Sequence, residues 1–302
     1  MTMKKFFVRV GKAALYFLGY FGTQFGVSLG ISILLGIYAA ATSLRADGTV
    51  NYLVYVNRYN QLLNQWLYYI LILSGVITIL IFFIVTKIRK KKFTKSASLN
   101  KLKPSTIAPI VIGGMAFNIF ISYAMSMIPF PESWIQSYQA NSNELLGAVS
   151  VSMWISVVIM APLVEELTFR GFMYTRLKQG MAKWIAILLT SLVFGIVHGT
   201  MIWAIYTFVF SLCLLFIFER TNSLWGCILY HMAFNFVGAA MSTWSDVLEN
   251  INGWVLFIGS TVLTIVTAVW FVLISKNLTA GNMEDVQMKQ ETIEDMMKNQ
   301  IM

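Results

Sequence analysis

The chain has 302 residues, of which 58% are hydrophobic and only 12% charged, with a formal net charge of +9. A soluble domain carries about 25% charged residues to cover its surface, so this composition excludes a disordered chain, a secreted disulfide scaffold and a soluble nucleic-acid binder. The expected class is an all-α integral membrane protein, embedded in a lipid bilayer and with no nucleic-acid partner.

Apolar stretches of about 17–25 residues have the length that crosses a bilayer as a helix. They fall near residues 13–40, 66–86, 107–129, 147–168, 183–199, 201–218, 224–241 and 254–275, which gives about eight transmembrane helices. The first follows Lys4, Lys5, Arg9 and Lys12 and reads as an uncleaved anchor, being too long for a signal-peptide core. The fifth and sixth are short and nearly continuous, with their division at Gly199. Between the second and third lies the basic cytoplasmic loop 87–104, which reads as a topology determinant with no binding role, contact with anionic lipid headgroups being the alternative. The tail 276–302 is polar and reads as flexible or as a short surface helix. The expected organisation is therefore an N-terminal region spanning 1–146, a core 147–241 with a central cavity, a last span within 242–275 and the tail.

Twenty of the 22 Lys and Arg residues fall on one side of such an arrangement, leaving Arg45 and Arg58 opposite. Basic residues accumulate on the cytoplasmic side, so both termini are expected there. The setting this suggests is a plasma membrane, of bacterial origin. Cys213 and Cys227 lie in apolar runs and read as buried thiols rather than a bridge. Most aromatic residues read as lipid-facing or interfacial, with Trp66, Tyr68, Tyr69, Trp134 and Trp254 as belt residues. Gly113 and Gly114 read as a point of close helix packing.

An ionisable group inside a bilayer costs about 2.5–3.5 kcal/mol on insertion scales and needs a reason to be there. Among the 13 acidic residues only Glu165 and Glu166 fall inside an apolar span, and both histidines, His198 and His231, lie in apolar helices. Glu166 and Arg170 stand four residues apart with the acid first, the better order for an intrahelical ion pair. Glu165 is turned about 100° from Glu166, so one carboxylate can be held by arginine while the other enters a cavity. Phe194 and His198, and likewise His231 and Asn235, share the same spacing. Such a set suits attack by water on an amide, with Glu165 taking the proton, His198 orienting the water, and His231 and Asn235 donating to the oxyanion. No serine or cysteine is placed for covalent catalysis.

The ordered triple Glu165-Glu166-x-x-x-Arg170, Phe194-x-x-x-His198 and His231-x-x-x-Asn235 resembles the three motifs of the CPBP intramembrane proteases, the CAAX protease and bacteriocin-processing family also called Abi. The resemblance covers about 147–240 and departs at no motif position. It implies an eight-helix core and a catalytic cavity opening toward the cytoplasm but does not supply the substrate; the expected one for an intramembrane endopeptidase is a short peptide or a membrane-tethered protein tail. It also implies the same roles for Glu165, His198, His231 and Asn235, with Glu166 and Arg170 flanking them. Members have been described as metalloproteases, so zinc held by Glu165, His198 and His231 is the competitor to a metal-free, glutamate-dependent mechanism. The metal-free form leaves every motif residue a task and is the one expected. Two other classes stay open: a non-catalytic bacteriocin immunity or scaffold protein of the same fold, and a proton-coupled transporter.

Overall fold

The computed structural model describes residues 3–147, 149–244 and 251–299, with 277–299 as backbone only. The chain order is α1 (Met3–Ala41), α2 (Tyr52–Ile88), the short α3 (Phe93–Ser96), α4 (Ile107–Ser126), α5 (Glu132–Leu146), α6 (Val151–Leu177), α7 (Lys183–Ile196), α8 (Met201–Thr221), α9 (Leu224–Thr243) and α10 (Gly253–Asn299). The expected apolar stretches all appear as helices in an all-helical, multi-pass membrane fold. Among the described residues seven helices are long and apolar enough to cross a bilayer, while α7 has 14 residues and reaches about 21 Å at 1.5 Å per residue. The tail expected to be flexible or a short surface helix continues α10 without a break to Asn299.

The helix ends follow from local chemistry. The side chains of Asn51, Ser150 and Thr200 accept the backbone N–H of Val54, Met153 and Trp203, each supplying a partner to a first-turn donor. Helix α8 stops at Asn222, whose left-handed backbone (φ 48°) suits asparagine. Gly199, at φ 87°, makes the turn from α7 to α8 in a conformation that a side chain would strain. The division expected at Gly199 is therefore real, but α7 stops at Ile196, so His198 sits in the turn and not on a helix.

Two close approaches fix the bundle. A side chain at Gly114 would meet the Tyr230 carbonyl oxygen at 2.5 Å, so α4 and α9 touch backbone to backbone there. At Gly75 on α2, a Cβ would meet the Met160 side chain of α6 at 2.6 Å. Around these contacts Phe169, Phe172, Phe194, Phe210, Leu214 and Leu224 form a core with almost no exposure. Much of the aromatic content is thus internal rather than lipid-facing. Tyr68 is also no belt residue: it is 3% exposed and donates its hydroxyl to the Leu145 carbonyl.

The basic segments gather at one end. Leu224 N–H donates to the Ser98 carbonyl, and the Ser223 hydroxyl to that of Asn100. Lys178 and Lys183 both reach Glu219, at 2.6 and 3.6 Å. Arg89 donates to the Tyr16 hydroxyl, Arg176 lies over the Tyr16 ring, and Arg220 donates to Ser275. The opposite end is roofed by α5, where Tyr138 meets Trp203 of α8 edge to face. This helix lies outside the expected spans because it is polar, although Pro131 followed by Glu132 in the first turn is a helix-start signal.

Candidate active site

Helix α6 is not a regular α-helix. Ile155–Met160 and Leu167–Tyr174 are π-helical, flanking the α-helical turn Ala161–Glu166 that carries both glutamates. The Ala161 N–H donates to the Ser156 carbonyl, five residues back. The next residue, Pro162, has no N–H to give, so the Val157 carbonyl is left without that partner. Asn235 of α9 fills the gap, its Nδ2 donating to Val157 O at 2.9 Å. π-Helical turns mark functional positions often enough to direct attention here, and the wider turns aim Glu165 and Glu166 at different surroundings.

Glu166 is completely buried and bound twice through one oxygen. Its Oε1 accepts from Arg170 Nη1 at 3.0 Å and faces His231 Nδ1 at 2.8 Å. Arg170, equally buried, donates through Nη2 to the Ser211 hydroxyl at 2.7 Å and lies 4.4 Å from the centre of the Phe194 ring. The motif phenylalanine thus forms an aromatic floor beneath the guanidinium, an arrangement that stabilises a desolvated cation.

Glu165 faces a cavity of about 810 Å³, which His198, His231, Asn235 and Phe194 also line. Its Oε2 lies 3.9 Å from His231 Nε2 and has no hydrogen-bond partner among the described residues. A carboxylate acceptor accounts for the Glu166 contact with His231 Nδ1 only if that nitrogen carries the proton. Nε2 is then the ring atom that looks toward Glu165. The same reasoning fixes His198. Its Nδ1 lies 2.6 Å from the Phe194 carbonyl, one of the acceptors that a helix end leaves unpaired, so Nδ1 donates and Nε2 is free to accept. Two helices and one turn therefore bring the embedded titratable residues together, with Glu166 and Arg170 behind the cavity wall.

Asn118 of α4 was absent from the residues singled out in sequence. It lines the same cavity, is 6% exposed, and its Oδ1 has no partner among the described residues. A single asparagine in an apolar span carries no motif, and only the polar spacing Asn118, Ser122, Ser126 could have drawn attention to it.

Among the described residues no three His, Cys, Asp or Glu side chains are grouped so as to hold a metal ion. His231 Nδ1 is engaged with Glu166 and His198 Nδ1 with a backbone carbonyl. Both engagements leave Nε2 as the free ring nitrogen, which is the orientation of a water-holding and of a metal-ligating histidine alike. Both cysteines are free, with Cys227 buried against the Leu214 carbonyl and Cys213 only partly buried.

The cavity lies in the half of the molecule away from the basic end. It is lined by Ser126 at the end of α4, Ser242 near the end of α9, and Gln139 and Asn143 of α5, with Ser126 and Gln139 near its rim. Two expectations therefore collide: the charge distribution puts the cytoplasm at the basic end, while the resemblance implies a cavity open to the cytoplasm.

Comparison with known proteins meets the same segment. Residues 147–237 match the family model Rce1-like, described as type II CAAX prenyl endopeptidase Rce1-like. The UPF0177 protein YbdI of Lactococcus lactis subsp. lactis (strain IL1403) is 23% identical over 127 residues, 42% of this chain and 68% of that protein. No solved structure matches the chain. The three motifs, the cavity they line and the matched family model coincide on one stretch: residues 147–237 of this multi-pass membrane protein are similar to the Rce1-like model and carry the residues that line the cavity.

Proposed function

We propose that the protein is an intramembrane endopeptidase that hydrolyses a peptide bond with glutamate-activated water and without a metal ion. The observation that carries this reading is the contrast between two adjacent carboxylates: Glu166 bound to Arg170 and His231, and Glu165 facing an 810 Å³ cavity with an unpartnered oxygen. Glu165 accepts a proton from a water that His198 Nε2 holds as acceptor. The hydroxide attacks the amide carbon, and the carbonyl oxygen takes up negative charge. His231 meets that charge through Nε2–H in its doubly protonated form, with Nδ1–H held by Glu166, so the proton taken from water stays on Glu165. The second N–H of the Asn235 amide is the other donor, since the first is given to Val157 O. Glu165 then returns a proton to the leaving amine.

Glu165→Gln tests this, because glutamine keeps the shape and cannot take the proton. Comparing membrane and secreted peptides from cells carrying wild-type or Glu165→Gln protein at equal abundance should show products missing from the variant. Identical peptide profiles would remove the peptidase assignment and favour a non-catalytic immunity or scaffold role.

A further inference from the structure

We propose that the site is entered from the non-cytoplasmic face of the membrane, beneath α5, and takes an uncharged peptide segment in extended form. The substrate class rests on the peptidase reading; the side of entry does not.

The side follows from two features at opposite ends of the bundle. At one end Arg89 and Arg176 meet Tyr16, Lys178 and Lys183 meet Glu219, Arg220 meets Ser275, and the loops 98–100 and 222–224 are joined by Leu224 N–H donating to the Ser98 carbonyl. Lysine and arginine beside spans mark the cytoplasmic side, and among the described side chains only Arg45, Arg58 and the buried Arg170 lie elsewhere. The cavity begins at mid-depth, at Glu165, His231 and Phe210, and runs the other way. Its lining takes α4 from Asn118 to Ser126, α9 from His231 to Ser242 and α8 from Phe210 back to Ile202, in each case toward α5. Among the described residues no Lys or Arg lines it. The lining residues on α5, Gln139 and Asn143 among them, put its mouth at that end.

The substrate class follows from the walls. Among the described residues Glu165 is the only carboxylate that lines the cavity. A charged side chain brought in would be desolvated with no counter-ion beyond Glu165, which the reaction itself occupies, so an uncharged segment is favoured. Asn118, Ser122 and Ser126 stand at i, i+4 and i+8 on α4, a single polar stripe. Facing it on α9 are Asn235, Gly238 and Ser242; a Cβ at Gly238 would lie 3.3 Å from Asn118 Nδ2, so glycine makes room for that amide. The unpartnered, buried Asn118 Oδ1 is an acceptor without a donor, and a backbone N–H of an extended chain supplies one. Trp203, Tyr206 and Phe234 give the cavity an apolar side for the substrate's side chains.

The side of entry is tested in intact cells with a membrane-impermeant maleimide, the parent chain serving as the labelling control. Ser142→Cys should label in intact cells and Lys95→Cys only after permeabilisation. Labelling of Lys95→Cys in intact cells, or of Ser142→Cys only after permeabilisation, would overturn it; Gln139→Cys decides if Ser142→Cys fails to accumulate. The substrate class is tested by occupancy in Glu165→Gln protein carrying Ser122→Cys. A blocked hexapeptide of Ala, Leu and Ser should slow thiol labelling at 122 by about tenfold, and the same peptide with a central Lys or Asp should not. Equal slowing by the charged peptides, or none by any, would overturn the substrate class and leave the side of entry to the first result. Protection without cleavage by the wild-type chain would instead overturn the peptidase reading and keep the site as a peptide-binding cavity.

Discussion

Glu166 holds the polar cluster together. It bridges Arg170 on its own helix and His231 on α9, and all three side chains are nearly or fully buried. Breaking a buried pair by neutralising one partner typically costs about 3–5 kcal/mol, because the other charge is left uncompensated. Glu166→Gln is therefore expected to lower the melting temperature in detergent and the abundance in membranes along with activity, whereas Glu165→Gln should lower activity alone. Arg170→Lys should resemble Glu166→Gln, since an ammonium cannot span Glu166, Ser211 and the Phe194 face as the planar guanidinium does. The proposed metal-free mechanism also predicts that purified protein carries no stoichiometric zinc and stays active after dialysis against a chelator; activity lost on removing one zinc per chain and regained on readdition would contradict this. At this scale the Glu166–Arg170 pair was legible in the sequence, because helical spacing alone sets it. The partner of Asn235 was not: Val157 O is freed by a π-helical turn next to Pro162, and no periodicity of side chains announces a change in backbone winding.

Helix α6 shows how the element serves the residues. Pro162 removes the donor that would otherwise reach back toward Val157, so Pro162→Ala should let the backbone compete with Asn235 for that carbonyl. The expected result is preserved or raised thermal stability with reduced cleavage, read by a melt and an activity assay on the same preparation. The α4–α9 contact makes the opposite kind of prediction. Gly114→Ala places a methyl against the Tyr230 carbonyl and the Ala233 side chain, and overpacking of this kind costs about 1–3 kcal/mol. It should lower the melting temperature while leaving Glu165 and His198, on other elements, able to react. That Gly113 and Gly114 mark close packing was readable from two adjacent glycines in an apolar span. Helix α5 was missed for the converse reason: it covers the cavity mouth with polar residues and contributes no apolar run.

Across the whole molecule, composition and apolar run length led directly to a polytopic helical protein, since bilayer thickness imposes both. They could not reveal that α7 is only 14 residues long, because the apolar run continues through the turn at Gly199 into α8. Nor could they locate the cavity mouth, which depends on which halves of α4, α6, α8 and α9 splay apart. The mouth lies opposite the basic end, so a topology reporter near residue 95 should read cytoplasm and one near 140 the outside; the reverse would place the cavity where the family resemblance implies. Chemistry at Glu165 is tested most directly on purified protein given a proteome-derived peptide library in detergent. Wild-type protein should generate new peptide termini, and Glu165→Gln protein with an unchanged melting temperature should generate none. New termini at the same rate from both proteins would contradict a mechanism in which Glu165 activates the water.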